Sequence, residues 1–298
     1  ASSSNLGPGF DSISMAMQIY LQVEITPDDR KGLHISSNGV DSEKIPIGSD
    51  NLILRVINSI SEQRGHATGS ALLTIHNNIP LARGLGSSAA AIIAGITSYE
   101  MLTQEQLEIE EIFGYAQEFE AHVDNLAAAL FGGLVVSANN EDGKPVFTQV
   151  SVPKGIVPVI VIPEFALSTE DARKVLPNRY SRADVVFNTQ RSALLIAALS
   201  SGKWDFLTEA MQDRIHQPYR TKLIPGLEDV LQIKQDGLFG VALSGAGPTI
   251  LALAAPQAAE SVGQSIVETF AKENIAAKAQ ICPIDTVGRF SEDHPISI

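Results

Sequence analysis

A short apolar strand candidate, a glycine-containing loop and a long alanine-rich helix follow one another between residues 71 and 102. This run constrains the fold more than any other part of the chain. Residues 71–76 read as a strand, and residues 87–102 as a largely buried helix. Between them lies Pro80-Leu81-Ala82-Arg83-Gly84-Leu85-Gly86-Ser87-Ser88-Ala89-Ala90. Its glycines let backbone N–H groups approach an anion with no Cβ in the way. The helix start adds unpaired donors and a partial positive charge, which together favour phosphate. Ser87 and Ser88 fall in the first turn, where a hydroxyl can cap the helix, bond a phosphate oxygen or ligate Mg²⁺. One such loop is also compatible with an ordinary turn.

Charge narrows the partners. Lys plus Arg number 21 and Asp plus Glu 34, a formal net charge of −13. So acidic a surface argues against nucleic acid and against an anionic membrane surface. It leaves room for a small anionic substrate in a locally positive pocket. A lone cysteine, Cys282, excludes a disulfide scaffold and a cysteine-rich zinc module, and reads as a buried thiol. No uncharged apolar run reaches membrane-spanning length, so the expected location is the cytoplasm. The opening residues show no leader pattern and are expected to lie just inside a first structural element, with a few residues missing upstream. His34, His66, His76, His216 and His294 show no metal-ligand pair spacing.

The 298 residues suggest two domains. Residues 17–26 and 33–37 read as strands, residues 51–64 as a helix ending at Gly65. Thr103 is expected to cap a further helix, with Gln106 completing a capping box. The acidic run Glu105, Glu108, Glu110 and Glu111 reads as a solvated helix start, with a metal site as the weaker alternative. Residues 132–150 form a hairpin, and the domain boundary falls near 153, giving 1–153 and 154–298. The second half reads as a buried strand 156–162, helices at 184–200, 204–216 and 227–236, strands 238–243 and 249–254, a helix 256–273 and a last strand 277–283. The mixture, with many strands antiparallel, predicts an α+β protein of two lobes rather than one doubly wound sheet.

Two further small-residue loops accompany the first: Asn5-Leu6-Gly7-Pro8-Gly9-Phe10-Asp11 and Ser244-Gly245-Ala246-Gly247-Pro248-Thr249. The central loop is not a Walker A sequence, because no Lys precedes Ser87. Gly84, Gly86 and Ala89 do satisfy Gly-x-Gly-x-x-Ala, so a dinucleotide-dependent oxidoreductase is an alternative from another class. The acidic residue at the required spacing, Glu105, falls on a predicted helix, which counts against it.

Together the three loops resemble the GHMP kinase superfamily. Residues 1–11, Glu120-Ala121-His122-Val123-Asp124-Asn125 with residues 126–133, Ser168-Thr169-Glu170-Asp171-Ala172-Arg173 and Asp213-Arg214-Ile215-His216-Gln217-Pro218-Tyr219-Arg220 are similar to its homoserine kinase branch. The resemblance covers the chain from residue 1 to about 250. It implies a ribosomal-S5-domain-2-like N-terminal lobe and a ferredoxin-like C-terminal lobe, with ATP, Mg²⁺ and L-homoserine between them. The implied reaction is phosphorylation of the homoserine hydroxyl, on the route to threonine. It also implies a homodimer.

The resemblance further implies roles. Residues 80–90 and Thr169 would bind ATP, and Asn51 would lie near adenine, although helix capping by Ser49 or Asp50 explains that segment equally well. Ser88 would be a catalytic Mg²⁺ ligand together with Glu120, or with Glu118 in its place. Arg173 and Arg220 would take the substrate carboxylate, Asp11 its ammonium with Asn5 nearby, and Gly245 and Gly247 would line the pocket. Asn125 would bond the reacting hydroxyl or the ammonium. Asp124 could accept the hydroxyl proton, or the proton could pass straight to the phosphate. His122 reads as a structural hydrogen-bonder. Ala121 and Val123 replace a Gly and a Pro of the usual pattern, which concerns loop geometry. A superfamily kinase for mevalonate or another small alcohol is the nearer alternative.

Overall fold

The structure, a computed structural model, describes residues 1–292, so His294 lies outside it. The chain opens with β1 (Ser2–Asn5) and β2 (Gly9–Ala16), an antiparallel pair. The opening residues, expected just inside a first structural element, form β1 itself; its Ser-Ser-Ser-Asn run is polar yet buried at every position, so no alternation marks it as a strand. There follow β3 (Leu21–Pro27), β4 (Leu33–Gly39), α1 (Leu52–Arg64), β5 (Ala71–Asn77), α2 (Ser87–Thr103), α3 (Ile109–Gln117), α4 (Val123–Phe131) and the hairpin β6 (Leu134–Asn139) with β7 (Pro145–Val150). These strands form two sheets, β1-β2-β6-β7 and β3-β5-β4, with β4 parallel to β5.

Helices α1 and α2 cross at Gly95, where a Cβ would come within 2.8 Å of the Val56 Cβ. The close approach buries Ile53, Val56, Ile57, Ile92 and Ile96 against Leu73 and Ile75 of the sheet. Asn51 starts α1: its side chain accepts from the N–H groups of Ile53 and Leu54. The cap is therefore Asn51 itself, and neither Ser49 nor Asp50.

The second part runs β8 (Val157–Pro163), α5 (Thr169–Lys174), α6 (Arg182–Ser201), α7 (Leu207–Ala210), α8 (Gln217–Arg220), α9 (Leu227–Leu231), β9 (Leu238–Leu243), β10 (Ile250–Ala254), α10 (Ala259–Lys272) and β11 (Ala277–Ile281). Its sheet has the order β11-β8-β10-β9 and is antiparallel throughout. With α10 packed on β8 and β10, this is the ferredoxin-like pattern. Between β7 and β8 the chain changes sheet. Beyond β11 it returns to the first part, where Ile284 bridges Met17 and Arg289 pairs with Glu100 at 2.6 Å.

Two local readings are corrected. Thr103 does not cap a new helix: it completes α2, and its hydroxyl bonds back to the Tyr99 carbonyl at 2.8 Å. The capping box belongs to Glu108 and Glu111, one turn later. The expected helix 204–216 breaks after α7, because the Asp213 carboxylate takes the N–H groups of Ile215, His216 and Gln217. Among the acidic residues near α3, Glu105 and Glu111 both pair with Arg64.

Candidate active site

The three glycine-bearing loops meet above a core shared by both parts, in which Ile13, Met15 and Leu85 pack with Ile160, Leu195 and Leu251. Backbone bonds join them: Ser2 N–H to Leu85 O at 3.0 Å, and Gly245 N–H to Ser4 O at 2.9 Å. Ser244 Oγ donates to Gly84 O at 2.6 Å. Gly84 and Gly86 both have positive φ, and a Cβ on Gly84 would fall 2.2 Å from Ser244 O.

Residues 80–90 lead from the end of β5 into α2, whose N-cap is Gly86. No side chain caps this helix, so Ser87 and Ser88 do not act as its cap. The uncapped first turn keeps its donors open toward an anion. Asp41 braces the loop from outside the motifs, accepting from Leu81 N–H at 3.0 Å and Arg83 Nη1 at 3.2 Å. Arg83 also reaches Pro163 O on β8, and Leu167 N–H reaches Ala82 O. These bonds link the loop to the segment carrying Thr169, which is exposed in the first turn of α5. Asn51 is 2 % exposed and committed to its cap, with its amide bonding Pro46 O.

Asn125 sits beside this loop. Its Oδ1 accepts from Ser2 Oγ at 2.8 Å, and its Nδ2 donates to Ser4 Oγ at 3.0 Å. Ser2 and Ser4 alternate along β1 and so share a face; the serine run is legible within the matched residues 1–11, but these two serines carry no role in the sequence reading. Asp124 is 2 % exposed and accepts from the Asn125 N–H at 2.7 Å. Burial pushes its carboxyl up to about 6.

Asp11 and Arg173 come together across the fold, with Arg173 Nη2 2.7 Å from Asp11 Oδ1. Asn5 spends both polar atoms on positioning: Oδ1 accepts from Asp11 N–H and Nδ2 donates to Gly245 O. His122 lies nearer the cleft than its sequence reading suggests. Its Nδ1 is 2.9 Å from Glu120 Oε1, and its Nε2 is 3.9 Å from Asp11 Oδ2. The Glu120 hydrogen bond raises the His122 pKa against burial. Burial acts to raise that of Glu120, but the bonds from His122 outweigh it and hold the carboxylate below its ordinary range. Glu118 is instead occupied by Ser59 and Gln63 of α1.

Arg220 is 1 % exposed. Its Nε donates to Ala172 O at 3.1 Å and its Nη1 to Gly245 O at 2.9 Å. Burial first, then the like charge of Arg173, lowers its pKa to about 10. It therefore ties α5 to the third glycine loop as well as facing Arg173. The Phe10 ring lies 5.4 Å from the Arg173 guanidinium and 5.7 Å from that of Arg220.

Residues 51–133 match the sequence family described as GHMP kinases N terminal domain, and residues 195–272 match GHMP kinases C terminal. A homoserine kinase from Synechococcus sp. is 38 % identical over 97 % of this chain and 94 % of its own. The chain belongs to the homoserine kinase family. The crystal structure of homoserine kinase from Cytophaga hutchinsonii superposes with a TM-score of 0.86 at 29 % identity, covering 97 % of this chain and 94 % of the other. The crystal structure of L. major mevalonate kinase in complex with R-mevalonate reaches a TM-score of 0.71 at 18 % identity, covering 92 % of this chain and 89 % of the other, a likeness of fold alone. The two-lobed GHMP kinase fold expected from the sequence is the observed one.

The oxidoreductase alternative is overturned. After α2 the chain enters α3, with no parallel strand beside β5 at that point, and Glu105 is taken by Arg64 and Tyr99. The Gly84, Gly86 and Ala89 spacing therefore lacks the fold context of a dinucleotide site. No helix among the described residues is long and apolar enough to cross a membrane.

Proposed function

We propose that this cleft transfers the γ-phosphoryl group of ATP to the side-chain hydroxyl of L-homoserine, giving O-phospho-L-homoserine. One observation carries the substrate choice: a carboxylate, Asp11, and two guanidiniums, Arg173 and Arg220, stand beside the phosphate loop. That set matches the ammonium and carboxylate of an α-amino acid. Mevalonate has no ammonium with which to draw Asp11 away from Arg173, so it would make no use of that carboxylate.

Phosphoryl transfer depends on positioning and charge stabilisation. Residues 80–90 wrap the nucleotide phosphates with backbone N–H groups and the start of α2, and Thr169 closes the site from α5. Asp11 takes the substrate ammonium, and Arg173 and Arg220 its carboxylate, with Gly245 and Gly247 forming the wall. Asn125, fixed by Ser2 and Ser4, orients the hydroxyl. The hydroxyl oxygen bonds the γ-phosphorus as the bond to the bridging oxygen of ADP breaks. Asp124 is closed off behind Asn125, so the proton leaves with the transferred phosphoryl group. A hydroxyl and an ionised carboxylate suit a hard cation, so Ser88 and Glu120 would hold Mg²⁺, which neutralises phosphate charge when bound. Among the described residues no group of three or more His, Cys, Asp and Glu gathers as a metal site.

The same reading takes the chain as lobes 1–153 and 154–298, and as a homodimer in the cytoplasm supplying threonine synthesis. Steady-state kinetics test it: a KM for L-homoserine that rises in Arg173→Gln while the ATP KM holds supports the assignment. Equal rises in both count against it.

A further inference from the structure

His216 is fully buried, four residues before Arg220. Its Nδ1 lies 3.0 Å from Arg220 Nη1, and its Nε2 lies 2.7 Å from the Gly7 carbonyl. A guanidinium can only donate, so Nδ1 must accept. The ring hydrogen then sits on Nε2 and is donated to Gly7 O. Phe10 stacks on the ring at 5.1 Å, with planes 22° apart.

Beneath it, Asp213 fixes the backbone of the same segment through His216 N–H at 2.9 Å and Gln217 N–H at 2.7 Å. Asn188 of α6 donates to Asp213 at 2.7 Å. The imidazole therefore joins the loop that carries Asp11 to the guanidinium across the pocket. Arg220 spends Nε on Ala172 O and Nη1 on Gly245 O and His216. Among the described residues no protein group accepts from its Nη2, which leaves that corner for a substrate carboxylate.

We propose that His216 is a positioning residue for the amino-acid substrate, its bare Nδ1 holding the Arg220 guanidinium so that Nη2 faces the carboxylate. The proposal rests on the homoserine reading of the cleft. His216 touches neither substrate nor phosphate, so its removal acts on homoserine affinity rather than on the chemical step.

Three substitutions in the full chain separate the contacts. His216→Phe keeps the stack on Phe10 and deletes both polar atoms. His216→Asn retains an acceptor near the Nδ1 position, and His216→Gln retains a donor near Nε2 but no acceptor for Arg220. Initial rates with Mg-ATP and L-homoserine should show the homoserine KM raised about 10- to 100-fold in the Phe and Gln variants. In both, kcat and the ATP KM should hold within about twofold, and the Asn variant should return the homoserine KM to within about threefold of wild type. If the Phe variant does not fold, the Asn–Gln difference decides the matter. Equal KM values in those two, or a fall in kcat at unchanged KM, overturn the proposal while homoserine turnover by the wild type stands. Absence of wild-type turnover on homoserine brings down the substrate reading and the proposal together.

Discussion

Arg173 grips Asp11 through two hydrogen bonds, Nη2 to Oδ1 at 2.7 Å and Nη1 to Oδ2 at 3.2 Å. The pair joins β2 of one lobe to α5 of the other, with each side chain about a third exposed. In our account a bound amino acid exchanges this contact for its own ammonium and carboxylate. Two charges that compensate each other without substrate avoid standing alone in a partly dry cleft.

Asp11→Asn should raise the homoserine KM about 10- to 100-fold, the range for a hydrogen bond to a charged group. With 4-hydroxybutyrate, which lacks the ammonium, the same substitution should change KM by less than about threefold. Measuring both acceptors in both proteins checks the assignment. An equal penalty for the two acceptors would show that Asp11 serves only to hold Arg173.

The loop of residues 80–90 has no room for a methyl group at Gly84. Its φ is +73°, and the added Cβ would meet the Ser244 carbonyl. Gly84→Ala should cost about 1–3 kcal/mol of stability and raise the ATP KM, read by thermal melting and by kinetics. A variant with wild-type melting temperature and ATP KM contradicts the packing described.

Asp41 lies outside every recognisable motif, yet it holds Leu81 and Arg83. Asp41→Ala should raise the ATP KM about tenfold and leave the homoserine KM unchanged, as expected when one charged hydrogen-bond acceptor is lost. The reverse pattern would place Asp41 with the substrate instead.

The central loop and its helix were legible because strand, glycine and helix-start signals are local. The facing residues were legible only as motif fragments, since nothing in sequence says that Asp11 and Arg173, or Asn125 and Ser2, meet in space. Buried β1 is polar at every position, so no apolar–polar alternation marks it as a strand. Asp213 breaks an otherwise helical pattern by capturing N–H groups with its side chain, a choice that depends on the neighbouring Asn188. Arg220 reads as a substrate clamp; its further work on Ala172 O and Gly245 O needs the third dimension.

Asp124 gives a pH signature. Its pKa is raised from 3.8 to about 6 by burial, so the folded protein disfavours the ionised form. The carboxylate then weakens the fold increasingly as pH rises through that window, with no such cost below it. Asp124→Asn removes the effect, so the stability of the variant relative to wild type should grow by about 3 kcal/mol between about pH 3 and pH 7 and then level off. Denaturant titrations at several pH values measure it; a difference independent of pH contradicts it. In our account the proton leaves with the phosphoryl group, so kcat should fall less than about tenfold, against the 10²–10⁴-fold expected for loss of a general base.

The most direct test of the account is ADP release by the unaltered chain from Mg-ATP, with L-homoserine, with mevalonate and with no acceptor. The account predicts turnover that depends on homoserine, with mevalonate at the level of the blank. Turnover on mevalonate and none on homoserine would leave the kinase fold in place and contradict the pocket built from Asp11, Arg173 and Arg220.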